Sequence, residues 1–542
     1  MFCPKCGNQI PDGSQFCQIC GASLGEVTVA QPTPSAAPPT KPAGKRSAIP
    51  ILALIVGLVA FGALLIICGV GGFFAYRRFQ QPADRLLVLE GWGADRAVYS
   101  VDLTGEGRQK LADVEGYDMA PFYWIHEEGQ ERLGGEYGLA FGLGVEGANV
   151  YVSPDKKNLI LAVQQKDGWY LLSSDVQGGT QASLVEAVDH IFATMSGRAR
   201  KLVLTVNIEG EISLYLLDFD GESQIALAEE VDNAFGFISP DGRRLVYQVE
   251  QEGERDLYLA DGTGETIAEL ARGVDNALGF FSADGKRVVY QVDIGEKSRL
   301  YTADVNGEDE VEIARGEFGQ WTISPDGKKM LYAVRKGTEY NLYIVDVDGK
   351  NQVELVRGVS EVVGGFLPDT QKVIYMVTRG GKSSLYLADP DGENRKELFR
   401  GADEGNGWPL PGGKHIAYTV KRAGDWSLYL TDISGKEKTS MAEDAESIQI
   451  LALPSANKII YSTQEEGEAK LYLFNAGEKD SIELDSGADS FDAAYLTPDG
   501  KRIIYAASYG PQNKAVYSIN ADGSKRKLFI DNASILTTTF AR

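Results

Sequence analysis

The sequence predicts an all-β protein dominated by one large β-propeller of ten repeat units, eight to ten of them forming blades. Three observations carry that prediction. A unit typified by "SPDGRRLVYQVEQEGERDLYLADGTGE" from Ser239 returns about every 43 residues to the end of the chain. Two independent tyrosine series keep the period: Tyr247, Tyr290, Tyr332, Tyr375, Tyr418, Tyr461 and Tyr505, and Tyr258, Tyr301, Tyr343, Tyr386, Tyr429, Tyr472 and Tyr517. The last segment, "NASILTTTFAR", matches the innermost-strand position of the other units, whereas the first unit begins directly with its second strand at "LLVLE".

The chain opens with a different chemistry. Cys3 and Cys6, then Cys17 and Cys20, form two Cys-x-x-Cys pairs separated by ten residues. Each pair can place two thiolates on one ion, and together they supply the four sulfurs of a tetrahedral Zn2+ site. Four sulfurs leave no coordination position for water, so the zinc is expected to be structural. Residues 1–24 have almost no apolar core, and metal binding would supply most of their folding free energy. The segment resembles the small zinc ribbons at the N-termini of many bacterial and archaeal membrane proteins, all four ligand positions matching. Lys5 is its one base and Asp12 cancels it, so no nucleic-acid partner is expected.

Residues 25–46 are rich in Pro and Ala and read as an extended linker. Residues 47–76 then run for thirty positions without a charge and are closed by Arg77 and Arg78. Crossing a bilayer takes about 20 apolar residues, so a single transmembrane helix is expected here. It starts too far from Met1 for a cleavable signal peptide. Basic residues flank it evenly, so they do not orient it. Four reduced thiolates persist best in a reducing cytosol, which places the N-terminus in the cytoplasm and the propeller outside the cell membrane. Cys68, inside the span, reads as a small packing residue.

The propeller is expected over residues 85–542. "SPDG" suits a type I turn. "RRLVYQV" and "DLYLAD" follow as antiparallel strands across the polar turn "EQEGE", and "IAEL" is a weaker fourth strand. Four strands per unit at this period are the signature of propeller blades, which bury one another's faces. Pairing of the C-terminal segment with the first unit would close the ring and remove its exposed edges. Between Val114 and Asn149 about 30 extra residues interrupt the period, as a loop excursion or a degenerate blade. The pattern "SPDGxxIxY…LYxxDxxG", matched closely at Ser239 and Ser324, resembles the WD-like repeats of TolB-type propellers, a likeness that covers residues 85 to 540 and implies fold more than activity.

Composition narrows the partners. The formal charge is −24, yet residues 1–80 carry six Lys/Arg against two Asp/Glu, so the acidity belongs to the propeller. That sign repels phosphate backbones and leaves cationic partners possible. His126, His190 and His415 occupy no repeating position and read as structural, and no Gly-x-Ser-x-Gly elbow occurs. The turns "DFDG" at Asp218, "DVDG" at Asp346 and "DPDG" at Asp389 lack the further carboxylate of a calcium loop and read as turns between third and fourth strands. No catalytic or cofactor-binding residue is therefore assigned. The expectation is a single-pass, membrane-anchored, non-catalytic platform that binds a protein or surface polymer at a propeller face. The alternatives are an extracytoplasmic enzyme acting on glycans or peptides, with carboxylates gathered at the channel mouth, and a receptor coupling the propeller to the ribbon.

Overall fold

The computed structural model describes residues 84–542 apart from loop segments, the longest being 116–122, 126–138 and 142–147, and apart from 539–542. Cys3, Cys6, Cys17, Cys20, the linker and the expected span at 47–76 lie outside the described residues. The chain divides into two compact units, residues 1–80 and 81–542.

Among the described residues, the second unit contains ten four-stranded antiparallel sheets and one two-stranded sheet. These are ten blades, the upper limit of the expected range. Nine run consecutively over residues 148–188, 190–231, 233–274, 276–315, 318–359, 361–402, 404–445, 447–488 and 490–531, as blades 2 to 10. Blade 1 joins Arg85–Glu90, Arg96–Asp102 and Gln109–Val114 to the C-terminal strand Ala533–Thr538. The pairing of Val88 with Ile535 and of Leu89 with Ser534 is the closure expected from the sequence. Within the stretch after Val114, Tyr123–Ile125 pairs with Leu139–Phe141 and lies against His190–Ser196, the first strand of blade 3.

Blade 4 shows why the repeat folds this way. Its strands are Asn233–Ile238, Arg244–Gln251, Glu254–Asp261 and Thr266–Val274. The second strand is a nearly continuous apolar run because neighbouring blades cover both its faces. Leu245, Val246 and Tyr247 are all buried, whereas the fourth strand alternates exposed and half-buried residues at the rim. The "SPDG" turn closes on a Gly242 N–H to Ser239 carbonyl bond of 2.8 Å. Ser239 Oγ, fully buried, donates to Asp241 Oδ1 and accepts from the Arg244 N–H. Ser282, Ser324 and Thr497 repeat the arrangement.

The tyrosine series are cross-strand partners. Tyr247 faces Tyr258, and Tyr290, Tyr332, Tyr375, Tyr461 and Tyr505 likewise stack on Tyr301, Tyr343, Tyr386, Tyr472 and Tyr517. The second-strand ring in turn lies over a first-strand glycine. A Cβ on Gly236 would meet that of Tyr247 at 2.7 Å, and one on Gly364 that of Tyr375 at 2.8 Å.

Apolar clusters join each blade to the next. Leu87, Val98, Leu159 and Leu161 bind blade 1 to blade 2, and Leu86, Val88, Ile504 and Ile535 bind blade 10 back to blade 1. The first strands of several successive blades lie against one another. Their free edges would present unpaired backbone groups, and neighbouring side chains satisfy several of them. Thr194 Oγ1 donates to the Gly236 carbonyl at 2.7 Å. Gln320 brackets Gly364, donating to its carbonyl at 2.9 Å and accepting from its N–H at 3.2 Å.

Candidate binding faces

The strand order gives the ring two chemically different faces. One, the turn face, carries the turns between first and second strands and between third and fourth strands. The other, the hairpin face, carries the hairpins between second and third strands and the links from blade to blade.

On the turn face the Asp-Gly sequences are β-turns. The Asp218, Asp346 and Asp389 carbonyls accept from the Gly221, Gly349 and Gly392 N–H groups at 2.8 to 3.0 Å. Their carboxylates are held by the lysine that opens the second strand of the same blade: Lys201 to Asp218 at 3.2 Å, Lys329 to Asp346 at 2.6 Å, and Lys372 to Asp389. Bonds from Lys329 and Asn351 hold the Asp346 carboxyl below its usual range, and Lys372 with Asn394 does the same to Asp389. These carboxylates are occupied in building turns.

On the hairpin face an aspartate precedes the first strand of several blades at the 43-residue period: Asp189, Asp232, Asp275, Asp403 and Asp489, with Glu446 at the equivalent place. The Asp232 N–H donates to the Glu250 carbonyl, and its carboxylate accepts from the Glu252 N–H at 2.7 Å. Asp189 takes the Glu209 N–H and Asp403 the Ala423 N–H, each at 2.8 Å. Glu209, Glu252 and Ala423 have φ of 53° to 55°, a left-handed conformation at the hairpin tip. Each of these three carboxylates thus fixes its own hairpin. The Lys382 ammonium and the Ala423 N–H hold Asp403 below the usual range.

Above this constant frame the tips differ. One topological position is occupied by Ile208 in blade 3, Ile294 in blade 5, Lys336 in blade 6, Arg379 in blade 7, Arg422 in blade 8 and Glu465 in blade 9. Ile208 and Ile294 are each 51% exposed. Arg379 and Arg422 donate to the Arg357 and Arg400 carbonyls in the fourth strands of the preceding blades.

The residues considered earlier for chemistry are dispersed. His190 opens the first strand of blade 3 on the hairpin face, and His415 opens the second strand of blade 8 on the turn face, so the ring holds them apart. His126 lies outside the described residues. The strand anchors alone do not reveal the aspartate ring, although its period, with Asp275 in "GVDNALGFFSADG", is legible in the sequence. The tip residues have no such signal, since their character changes from blade to blade. Among the described residues no helix is long and apolar enough to cross a membrane.

Comparison with known proteins adds two family matches. The family described as TolB beta propeller domain matches residues 232–406 and 361–537, and the family described as zinc-ribbon domain matches residues 2–24. No curated protein matches the chain. Among solved structures, a eukaryotic initiation factor is similar at 10% identity over 72% of this chain and 98% of its own, with a TM-score of 0.42. Dipeptidyl peptidase 4 of Porphyromonas gingivalis is similar at 11% identity over 67% of this chain and 64% of its own, with a TM-score of 0.45. The propeller domain of the trilobed protease from Pyrococcus furiosus is similar at 16% identity over 55% of this chain and 98% of its own, with a TM-score of 0.29.

Proposed function

The chain belongs to the TolB beta propeller domain family, and from that membership we propose that its ten-bladed ring is a non-catalytic platform whose hairpin face binds a protein or a surface polymer. One observation carries the reading. The frame residues are nearly constant from blade to blade, while the hairpin position filled by Ile208, Ile294, Lys336, Arg379, Arg422 and Glu465 changes in both charge and polarity. A rigid frame under a varied surface is how a binding face is built, because the frame positions the loops and the loops carry the chemistry. The carboxylates of Asp189, Asp232 and Asp403 beneath the tips accept from hairpin N–H groups and so are engaged in holding the tips in place.

The same proposal anchors the ring by a helix over residues 47–76, with the propeller outside the cell and the ribbon in the cytoplasm. Cys3, Cys6, Cys17 and Cys20 would hold Zn2+ there, a donor set of four thiolates being that of a structural site. The match of residues 2–24 to a zinc-ribbon domain supports this.

Photo-crosslinking of the full chain on intact cells tests the binding face. A crosslinker at Ile294 should capture a partner that one at Lys328, on the turn face, does not, and the double variant Ile208→Asp/Ile294→Asp should lower capture about tenfold or more. Equal capture from both faces, or turnover of glycans or peptides by the purified chain, would overturn the proposal.

A further inference from the structure

The rows of tyrosines end differently from blade to blade at the outer rim. In blades 1, 7, 8 and 10 a cation from the start of the fourth strand sits on the third-strand tyrosine: Arg108 over Tyr99 at 3.9 Å, Arg395 over Tyr386 at 4.0 Å, Lys438 over Tyr429 at 3.5 Å and Arg526 over Tyr517 at 3.9 Å. The register fixes that position. Each cation stands two residues before the fourth-strand residue that faces the tyrosine, namely Lys110, Glu397, Ser440 and Leu528.

Blades 4, 5 and 6 break the pattern together. The capping position holds Ile267, Glu310 and Gln352, two residues before Glu269, Glu312 and Glu354, which face Tyr258, Tyr301 and Tyr343. Ile267 is 38% exposed, Glu310 accepts from the Tyr290 hydroxyl, and Gln352 donates to the Tyr332 hydroxyl. None of the three supplies a cation. Tyr258, Tyr301 and Tyr343 are half-buried, and the one aromatic partner of each among the described residues is Tyr247, Tyr290 or Tyr332, at 5.2 to 5.4 Å. Among the described residues no cation lies over any of these three rings. The nearby arginines are engaged elsewhere: Arg272, Arg315 and Arg357 pair with Glu269, Glu312 and Glu354, and Arg299 reaches only the Tyr301 hydroxyl, at 3.5 Å. The carboxylates are balanced by the chain's own arginines, and the ring faces are what stays without a cation.

We propose that Tyr258, Tyr301 and Tyr343 take guanidinium groups from an arginine-bearing segment of a partner protein laid along the rim of blades 4 to 6. The chain itself supplies the chemistry, since three of its four internal caps are arginines. A planar guanidinium stacks on an aromatic face, and the ring quadrupole attracts its charge. One such contact at an exposed site is worth only about two- to fivefold in affinity. Three on consecutive blades of one rigid ring act together, because the second and third contacts form within a segment already held. In blade 4 the exposed Ile267 offers apolar surface to the stem of the incoming side chain. The site lies on the rim and is independent of the hairpin-face reading.

Fluorescence anisotropy of the purified full chain at physiological salt tests this, with a labelled Arg-Gly repeat peptide and the same peptide carrying citrulline in place of arginine as probes. The arginine peptide should bind about tenfold more tightly. The variant Tyr258→Leu/Tyr301→Leu/Tyr343→Leu, which leaves the net charge unchanged, should weaken its binding about tenfold, whereas Tyr258→Phe/Tyr301→Phe/Tyr343→Phe, which keeps the faces, should stay within about twofold. Ile267→Arg/Gln352→Arg rebuilds the arrangement of blades 7 and 10 and should weaken binding about fivefold. Gln251→Arg/Thr338→Arg adds the same charge at exposed hairpin positions and should not. Should the leucine variant melt below the parent, the two arginine variants decide alone. Equal binding of the two peptides, an unweakened leucine variant, or equal losses in the leucine and phenylalanine variants overturns the rim site. An equal loss in the two arginine variants assigns the effect to net charge and overturns it as well.

Discussion

Tyr505 Oη donates to Asp485 Oδ2 at 2.6 Å, which ties the second strand of blade 10 to the fourth strand of blade 9, and Arg526 Nε donates to the same oxygen at 2.9 Å. Burial and this carboxylate bond push the Tyr505 phenol well above its usual pKa. Tyr505→Phe leaves the carboxylate with one donor fewer and should destabilise the chain by about 1–3 kcal/mol. Tyr375 is equally buried, but its hydroxyl has no hydrogen-bond partner among the described residues, so Tyr375→Phe should be near neutral. Urea unfolding of the two variants compares them, and equal losses would contradict the assigned role of the Tyr505 hydroxyl.

The buried tyrosines make the ring sensitive to alkali. Burial, as the largest cause, pushes the phenols of Tyr332, Tyr375, Tyr418 and Tyr461 to about 12. A folded pKa above the unfolded value of about 10 means that the native state keeps its proton longer. The stability is therefore intact below about pH 10 and is lost as pH rises from 10 towards 12, by roughly 2–3 kcal/mol per tyrosine. Tyrosinate absorbance and circular dichroism, followed together, should change in one transition. Ionisation of these rings near pH 10 in a still-folded protein would refute the account.

Neighbouring glycines separate packing from conformation. A Cβ at Gly364 would lie 2.8 Å from that of Tyr375 and 3.1 Å from a Leu331 methyl, whereas one at Gly365 meets no heavy atom within 4 Å. Gly364→Ala should cost about 1–3 kcal/mol, and Gly365→Ala should be neutral or slightly stabilising. Thermal unfolding of the pair decides whether the stacked tyrosine is what requires the glycine.

Closure of the ring depends on few residues. Ile535 is buried between blades 10 and 1 with Leu86, Val88 and Ile504. Ile535→Ala should lower stability by about 2–4 kcal/mol. Removal of residues 533–542 should expose the edge of Arg85–Glu90 and cause self-association, visible by light scattering. A truncated chain that stays monomeric with an unchanged melt would show that the ring does not need its clasp.

The ribbon should bind one Zn2+ and do so independently of the ring. Cys3→Ser/Cys6→Ser should abolish zinc in elemental analysis of the purified chain while leaving the main thermal transition within about 1 °C, because the ring is a separate compact unit. Retained zinc, or a collapsed main transition, would count against the four-thiolate assignment.

Much of this was legible in one dimension. A unit that cannot bury its own faces must stack on copies of itself, so the period, the four strands and the unmatched C-terminal strand already dictated a propeller closed by its last segment. The Cys-x-x-Cys spacing pointed to a zinc ribbon, and residues 2–24 match a zinc-ribbon domain. Long-range relationships were left to the tertiary structure. Only folding showed that Tyr123–Ile125 pairs with Leu139–Phe141 and that the described residues make ten four-stranded sheets, because a disguised blade and a loop share the same composition. Only folding placed Tyr505 on Asp485, joined Gln320 to Gly364 and set His190 and His415 on opposite faces. Those contacts cross blade boundaries, and a one-dimensional period says what each blade contains but not which of its edges meets the next.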